Sequence, residues 1–291
     1  MIMSSITQQA CAPAVEANSK PKWRCSIVLP REHGAWGMLA IPLLSGTAIG
    51  YVAGGRAWSA LTLALTAATA AFLLRTPVEA LLGTSIIRPT DVERKIAWGA
   101  TCFWAALAIA SLTAFAAHAS IKPLLIPVSV AAPALVLQCF GRNRQRRLLS
   151  ELLGAATLSA GAFVSYFAIT ARADETALAL WLISSLFCAD QILYVRSLLE
   201  RLRRPDNWRI AKRLHNAASL IGGLALLIGA TFSFLPVGAV IAYLPLLTRS
   251  WWMEPPLRRI NLQSVGFREL ALSLASSSLL VLAFVVQAHW S

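Results

Sequence analysis

Apolar residues along this chain fall in blocks of about twenty, divided by short strings rich in arginine and lysine. A block of that length as a helix spans a bilayer. The pattern predicts an all-α, polytopic transmembrane bundle of about nine helices, near residues 34–54, 57–83, 96–118, 121–140, 151–171, 176–198, 216–235, 236–249 and 266–289. The eighth block is short and bounded by Pro236 and Pro245, so it is expected to tilt or merge with its neighbours. Residues 1–29 lack the apolar stretch of a signal peptide and read as a disordered cytoplasmic tail ahead of a nine-helix domain over 30–291.

Composition agrees. Of 291 residues, 57% are hydrophobic and 13% charged, against roughly 25% charged in ordinary soluble domains. All but three of the 26 lysines and arginines (Arg56, Lys122 and Arg172) fall in the tail, in the loops after even-numbered spans, or near span ends on that same side. Such a bias predicts a cytoplasmic N-terminus, an external C-terminus and residence in the inner cell membrane. The basic strings RNRQRR (142–147) and 201–213 suit anionic headgroups, so membrane lipids are the expected partners. No aromatic stacking platform accompanies them, which argues against nucleic acid. The five cysteines make no ligand or disulfide spacing. A protein partner is not legible in the sequence.

The acids are fewer and more telling. Glu32, Glu79, Glu151, Asp190 and Glu269 lie at or inside the basic-side ends of spans, and a charge within a span normally faces protein or water. Arg75 and Glu79 stand one helical turn apart, as do Asp190 and Tyr194. Pro30 and Glu32 suit a first helical turn, whereas Arg31 and His33 sit against the helix dipole and call for a negative neighbour. The last span repeats the arrangement with Arg268 and Glu269. These pairs predict one polar vestibule, open to the cytoplasm, formed by Arg31, Glu32, His33, Arg75, Glu79, Asp190, Tyr194, Arg196, Arg268 and Glu269. His215, beside Asn216, reads either as a cap at the start of the seventh span or as an acid–base group. No catalytic set can be named.

The motifs PREHGAWGMLAIPLLSG (30–46), SELLG (150–154), YVRSLL (194–199), RLHNAA (213–218), LPLLTR (244–249) and VGFRELALSL (265–274) resemble the YwiC-like family of bacterial integral membrane proteins. A more distant similarity is to the UbiA-type prenyltransferases, which have nine helices and active-site loops after helices two and six. That similarity implies an isoprenoid-like or other anionic amphiphile as ligand. In that family Asp-rich motifs hold Mg²⁺ on a prenyl diphosphate. Here only Glu79 and Asp190 stand near the corresponding places, without their repeat partners. No metal site and no cofactor are therefore expected, with Mg²⁺ entering only if the Asp-rich chemistry persists in reduced form. The functional expectation is a membrane protein that binds or transfers such an amphiphile. The alternatives are a membrane-embedded assembly factor and a small-anion transporter.

Overall fold

A computed structural model describes residues 33–83, 90–140, 144–203, 205–252 and 262–290, and these are helical throughout apart from turns. The helices are α1 (His33–Val52), α2 (Trp58–Leu81), α3 (Asp91–Ala116), α4 (Leu125–Phe140), α5 (Arg144–Ser159), α6 (Gly161–Thr170), α7 (Glu175–Arg203), α8 (Pro205–Thr231), α9 (Val237–Trp252) and α10 (Leu262–Trp290). The α5–α6 pair counts as one element, so the described residues form nine helical elements. Seven are long and apolar enough to cross a membrane, and the apolar stretches of α4 and α9 are shorter. With successive elements alternating in direction, α3, α5, α8 and α10 start at one end, here called the basic end for the lysines and arginines of the sequence around those starts. The N-terminal tail at 1–29 is outside the described residues.

Several helices begin earlier than hydropathy alone predicts, because polar residues supply their first turns. Asp91 and Glu93, expected in a loop, open α3 instead. The Thr90 side chain accepts from the Glu93 amide, and the Glu93 carboxylate accepts from the Thr90 amide at 2.9 Å. This capping box satisfies two donors that a bare helix end leaves open. Basic residues around 205–213, expected in a loop, belong to α8. Pro205 stands at its first position and Asp206 in its first turn, where each is favoured. Pro245, expected as a boundary, lies inside α9, and Thr248 Oγ1 donates to the Leu244 carbonyl at 3.0 Å beside it.

The core centres on α6, where every residue from Gly161 to Ile169 except Val164 is buried. A helix apolar on all sides belongs inside a bundle. Around it pack Leu180, Ile183 and Phe187 of α7, Leu226 of α8, Tyr243 and Leu246 of α9, and Leu280 of α10. The chain breaks between α5 and α6 at Ala160. There the Trp181 indole donates to the Ala156 carbonyl at 2.7 Å, and Ser159 bonds Ser185 at 2.7 Å. These bonds let the kink sit in an apolar setting without stranded polar groups.

Helix α1 lies on α6 through small residues. A side chain at Gly46 would overlap the Ala162 carbonyl, and one at Gly50 would overlap Ile169. The two glycines stand four apart, the spacing that lets backbones approach in membranes. By contrast α3 packs on α2 at the bundle's edge. Its buried residues are confined to Glu93, Ala97, Ser111 and Phe115, while Trp98, Phe103, Ile109 and Leu112 are exposed. In a bilayer that apolar face meets lipid.

Candidate functional site: a buried ion-pair node

Arg249 is the largest fully buried side chain of the described residues, with 0% of its surface exposed. Its position follows from helical periodicity: Ala239, Ala242, Tyr243 and Leu246 of α9 are all buried, and three residues past Leu246 the same face carries Arg249. Within the bundle its guanidinium bridges two acids. One terminal nitrogen bonds Asp190 of α7 and the other bonds Glu269 of α10. The Arg249 Cζ lies 4.0 Å from the centre of the Tyr194 ring. Its Nε makes no hydrogen bond among the described residues.

The fourth helix, α8, closes the node. Ser219 donates to Oδ1 of Asp190, and His215 Nδ1 lies 3.6 Å from that same oxygen. The His215 ring packs on Tyr194 with centroids 5.6 Å apart. His215 is thus an interior residue of α8, ten positions past its start, and not the cap at a span boundary that its neighbour Asn216 suggested. On α10, Ser273 donates to the Glu269 carbonyl at 2.8 Å, and Gln191 donates to Ser273. Asp190 and Glu269 are 2% and 8% exposed, so the node is closed on the scale of a side chain.

Of the residues singled out in the sequence, the structure brings together Asp190, Tyr194 and Glu269. The others form groups of their own. Arg75 and Glu79 bond each other at 2.6 Å along α2, both more than a third exposed, a kind of pair worth roughly 0.3–0.5 kcal/mol. Arg196 bonds Glu151 of α5 at 3.3 Å. It stands six residues after Asp190, about 240° around the helix, and so faces α5 rather than the node. Arg268 is exposed. Arg31 and Glu32 lie outside the described residues, as does the side chain of His33. Glu79 and Asp190, the two acids a reduced metal site would need, are each bonded to an arginine on separate elements.

A narrow cleft adjoins the node between α1, α7 and α10. Met38, Ile41 and Phe187 form apolar walls, and Gln191, Ser273 and Ser277 supply polar atoms. Pro42 also lines it. Lacking an amide hydrogen, Pro42 leaves the Met38 carbonyl without its usual helical donor. Ser273 lies five residues, roughly 7.5 Å along the axis, from the exposed Arg268.

The family model described as YwiC-like protein matches residues 29–166. That match ends within α6, ahead of every residue of the node. The uncharacterized protein YwiC of Bacillus subtilis (strain 168) is 28% identical over 230 residues, which cover 78% of this chain and 86% of that protein. No solved structure matches the chain, so the more distant UbiA-type resemblance gains no support from a known fold. The apolar helical bundle and these matches lead to one statement: the chain is a multi-helix membrane protein that is similar to the YwiC-like family over residues 29–166.

Proposed function

We propose that the protein binds an anionic amphiphile of the bilayer, such as an isoprenoid-like anion, with its tail lying along the bundle surface over the mouth of the cleft between α1, α7 and α10. The observation that carries this reading is the pairing of that cleft with Arg268. Met38, Ile41 and Phe187 give the cleft mouth apolar edges that suit contact with a hydrocarbon tail, and Ser277 adds a hydroxyl beside them. Arg268, exposed at the basic end about one and a half turns along α10, is a cation among the described residues that could meet the head. Arg249 is not, since its charge is taken by two carboxylates. Binding is favoured over group transfer because the acids expected to act together, Glu79 and Asp190, serve separate ion pairs.

The test is the lipid extract of protein purified in mild detergent, identified by mass spectrometry. The wild type should retain an anionic amphiphile that Ser277→Trp, which fills the cleft, loses. Arg268→Gln should retain several-fold less. Identical extracts from wild type and Ser277→Trp would defeat the reading. We further propose that the basic end faces the cytoplasm, on the distribution of lysine and arginine. Reporter fusions should then report an internal N-terminus and an external C-terminus, and both ends on one side would contradict it.

A further inference from the structure

We propose that the node of Asp190, Arg249 and Glu269 is a proton-binding site, holding a single proton on its carboxyl pair. The argument begins with a count of charge. Two carboxylates, 2% and 8% exposed, face one guanidinium that is 0% exposed. With both acids ionised the node carries one surplus negative charge inside four apolar helices. A buried net charge is neutralised by a partner or by a proton.

Among the described residues, no second lysine or arginine forms an ion pair with either carboxylate. On α7 the nearby ionisable groups are Cys188 and Tyr194, and Arg196 is turned to Glu151. On α9, Tyr243 and Arg249 face inward. On α10, the adjacent Arg268 attracts the Glu269 carboxylate electrostatically but is itself exposed. The described side chains of α1 nearest the cleft are Gly37, Met38, Ile41 and Pro42, none ionisable. On α8, Lys212 and His215 are the candidates. Lys212 Nζ lies 5.4 Å from the Trp208 ring centre and makes no ion pair with Asp190 or Glu269.

His215 is a poor place for the proton. Its Nδ1 stands 3.6 Å from the Asp190 oxygen, beyond a hydrogen bond. Its ring packs on the same tyrosine that already carries the Arg249 guanidinium, so an imidazolium would set a second cation beside the first. Between the acids, Asp190 receives donors on both oxygens, from Ser219 and Arg249. Glu269 receives Arg249 on Oε2. The proton therefore rests on Glu269, and the pair titrates as one unit. Loss of that proton restores the surplus charge and loosens the α7–α10 junction.

Infrared difference spectroscopy on the purified full chain tests this directly, together with thermal unfolding across pH. Wild type should show the C=O stretch of a protonated carboxyl at neutral pH, lost on alkalinisation together with a fall in the unfolding midpoint. Glu269→Gln should lack that band and keep a constant midpoint over the same range, while His215→Gln should retain both responses. Should Glu269→Gln not fold, the wild-type band and its survival in His215→Gln still decide the question. No protonated-carboxyl band at neutral pH in folded wild type would overturn the proposal. So would a pH response abolished by His215→Gln, or a midpoint set by sodium concentration at fixed pH.

Discussion

Replacing Arg249 by leucine should cost the bundle on the order of 3–5 kcal/mol, the usual penalty for removing one partner of a buried ion pair. The loss is large because the variant leaves two carboxylates facing each other, both nearly inaccessible. Total stabilities of about 5–15 kcal/mol make this roughly a fifth or more of what holds the fold. Arg249→Lys should fall between wild type and Arg249→Leu, since one ammonium cannot span two acids as a planar fork does. The triple variant Arg249→Leu, Asp190→Asn, Glu269→Gln should recover much of the loss by removing the stranded charges as well as their partner. Unfolding midpoints and the monodisperse fraction in detergent measure the series. An Arg249→Leu protein as stable as the wild type would show that the node does not hold the helices together.

The second large effect is expected at Gly46. Alanine is the better helix former by roughly 0.5–1 kcal/mol, but here its methyl group would enter the Ala162 carbonyl of α6. Backbone cannot swing aside as a long side chain can, so α1 must move away along its contact with α6. Overpacking costs about 1–3 kcal/mol, which outweighs the gain in propensity. Gly46→Ala should therefore lower the unfolding midpoint by several degrees, and Gly46→Leu by more. Gly99→Ala provides the contrast. It lies on exposed α3 with nothing within 4 Å of the added atom, so propensity alone acts and the midpoint should hold or rise. Equal effects at the two sites would remove the case for close α1–α6 packing.

The all-helical class and the number of helical elements were legible because bilayer thickness imposes a period of about twenty residues on the sequence. Helix starts were less so. Pro205, Asp206 and the Thr90–Glu93 box act through backbone donors, which hydropathy does not register. The node was half legible. Asp190 and Glu269 stood out as acids in apolar runs, yet their shared partner was missed, since Arg249 follows a short apolar block and resembled one more loop cation. The buried frame of Ala239, Ala242, Tyr243 and Leu246 was the signal that could have found it. Arg75 and Glu79 show the opposite case, an i, i+4 pair as expected, but on a half-exposed helix face. Which helices meet is set by packing, and the node's contacts join residues 20 to 59 positions apart.

Those separations matter for how the protein is made. Asp190 enters the membrane with α7, but Arg249 is 59 residues further along. At about 5–20 residues per second of synthesis, the aspartate waits roughly 3–12 s for its arginine. An unpartnered aspartate at mid-span opposes insertion by about 2.5–3.5 kcal/mol. Ser219 is 29 residues away and arrives with α8 about halfway through that wait, and His215 arrives with it. The α7–α8 hairpin can therefore shield the acid before α9 exists. Glu269, made last, completes the set only when α10 enters. Truncation after α8 leaves an acid with a partial shelter, and truncation after α9 leaves a one-to-one pair. The stages at which quality-control proteases find this chain vulnerable follow from the order in which its charges emerge.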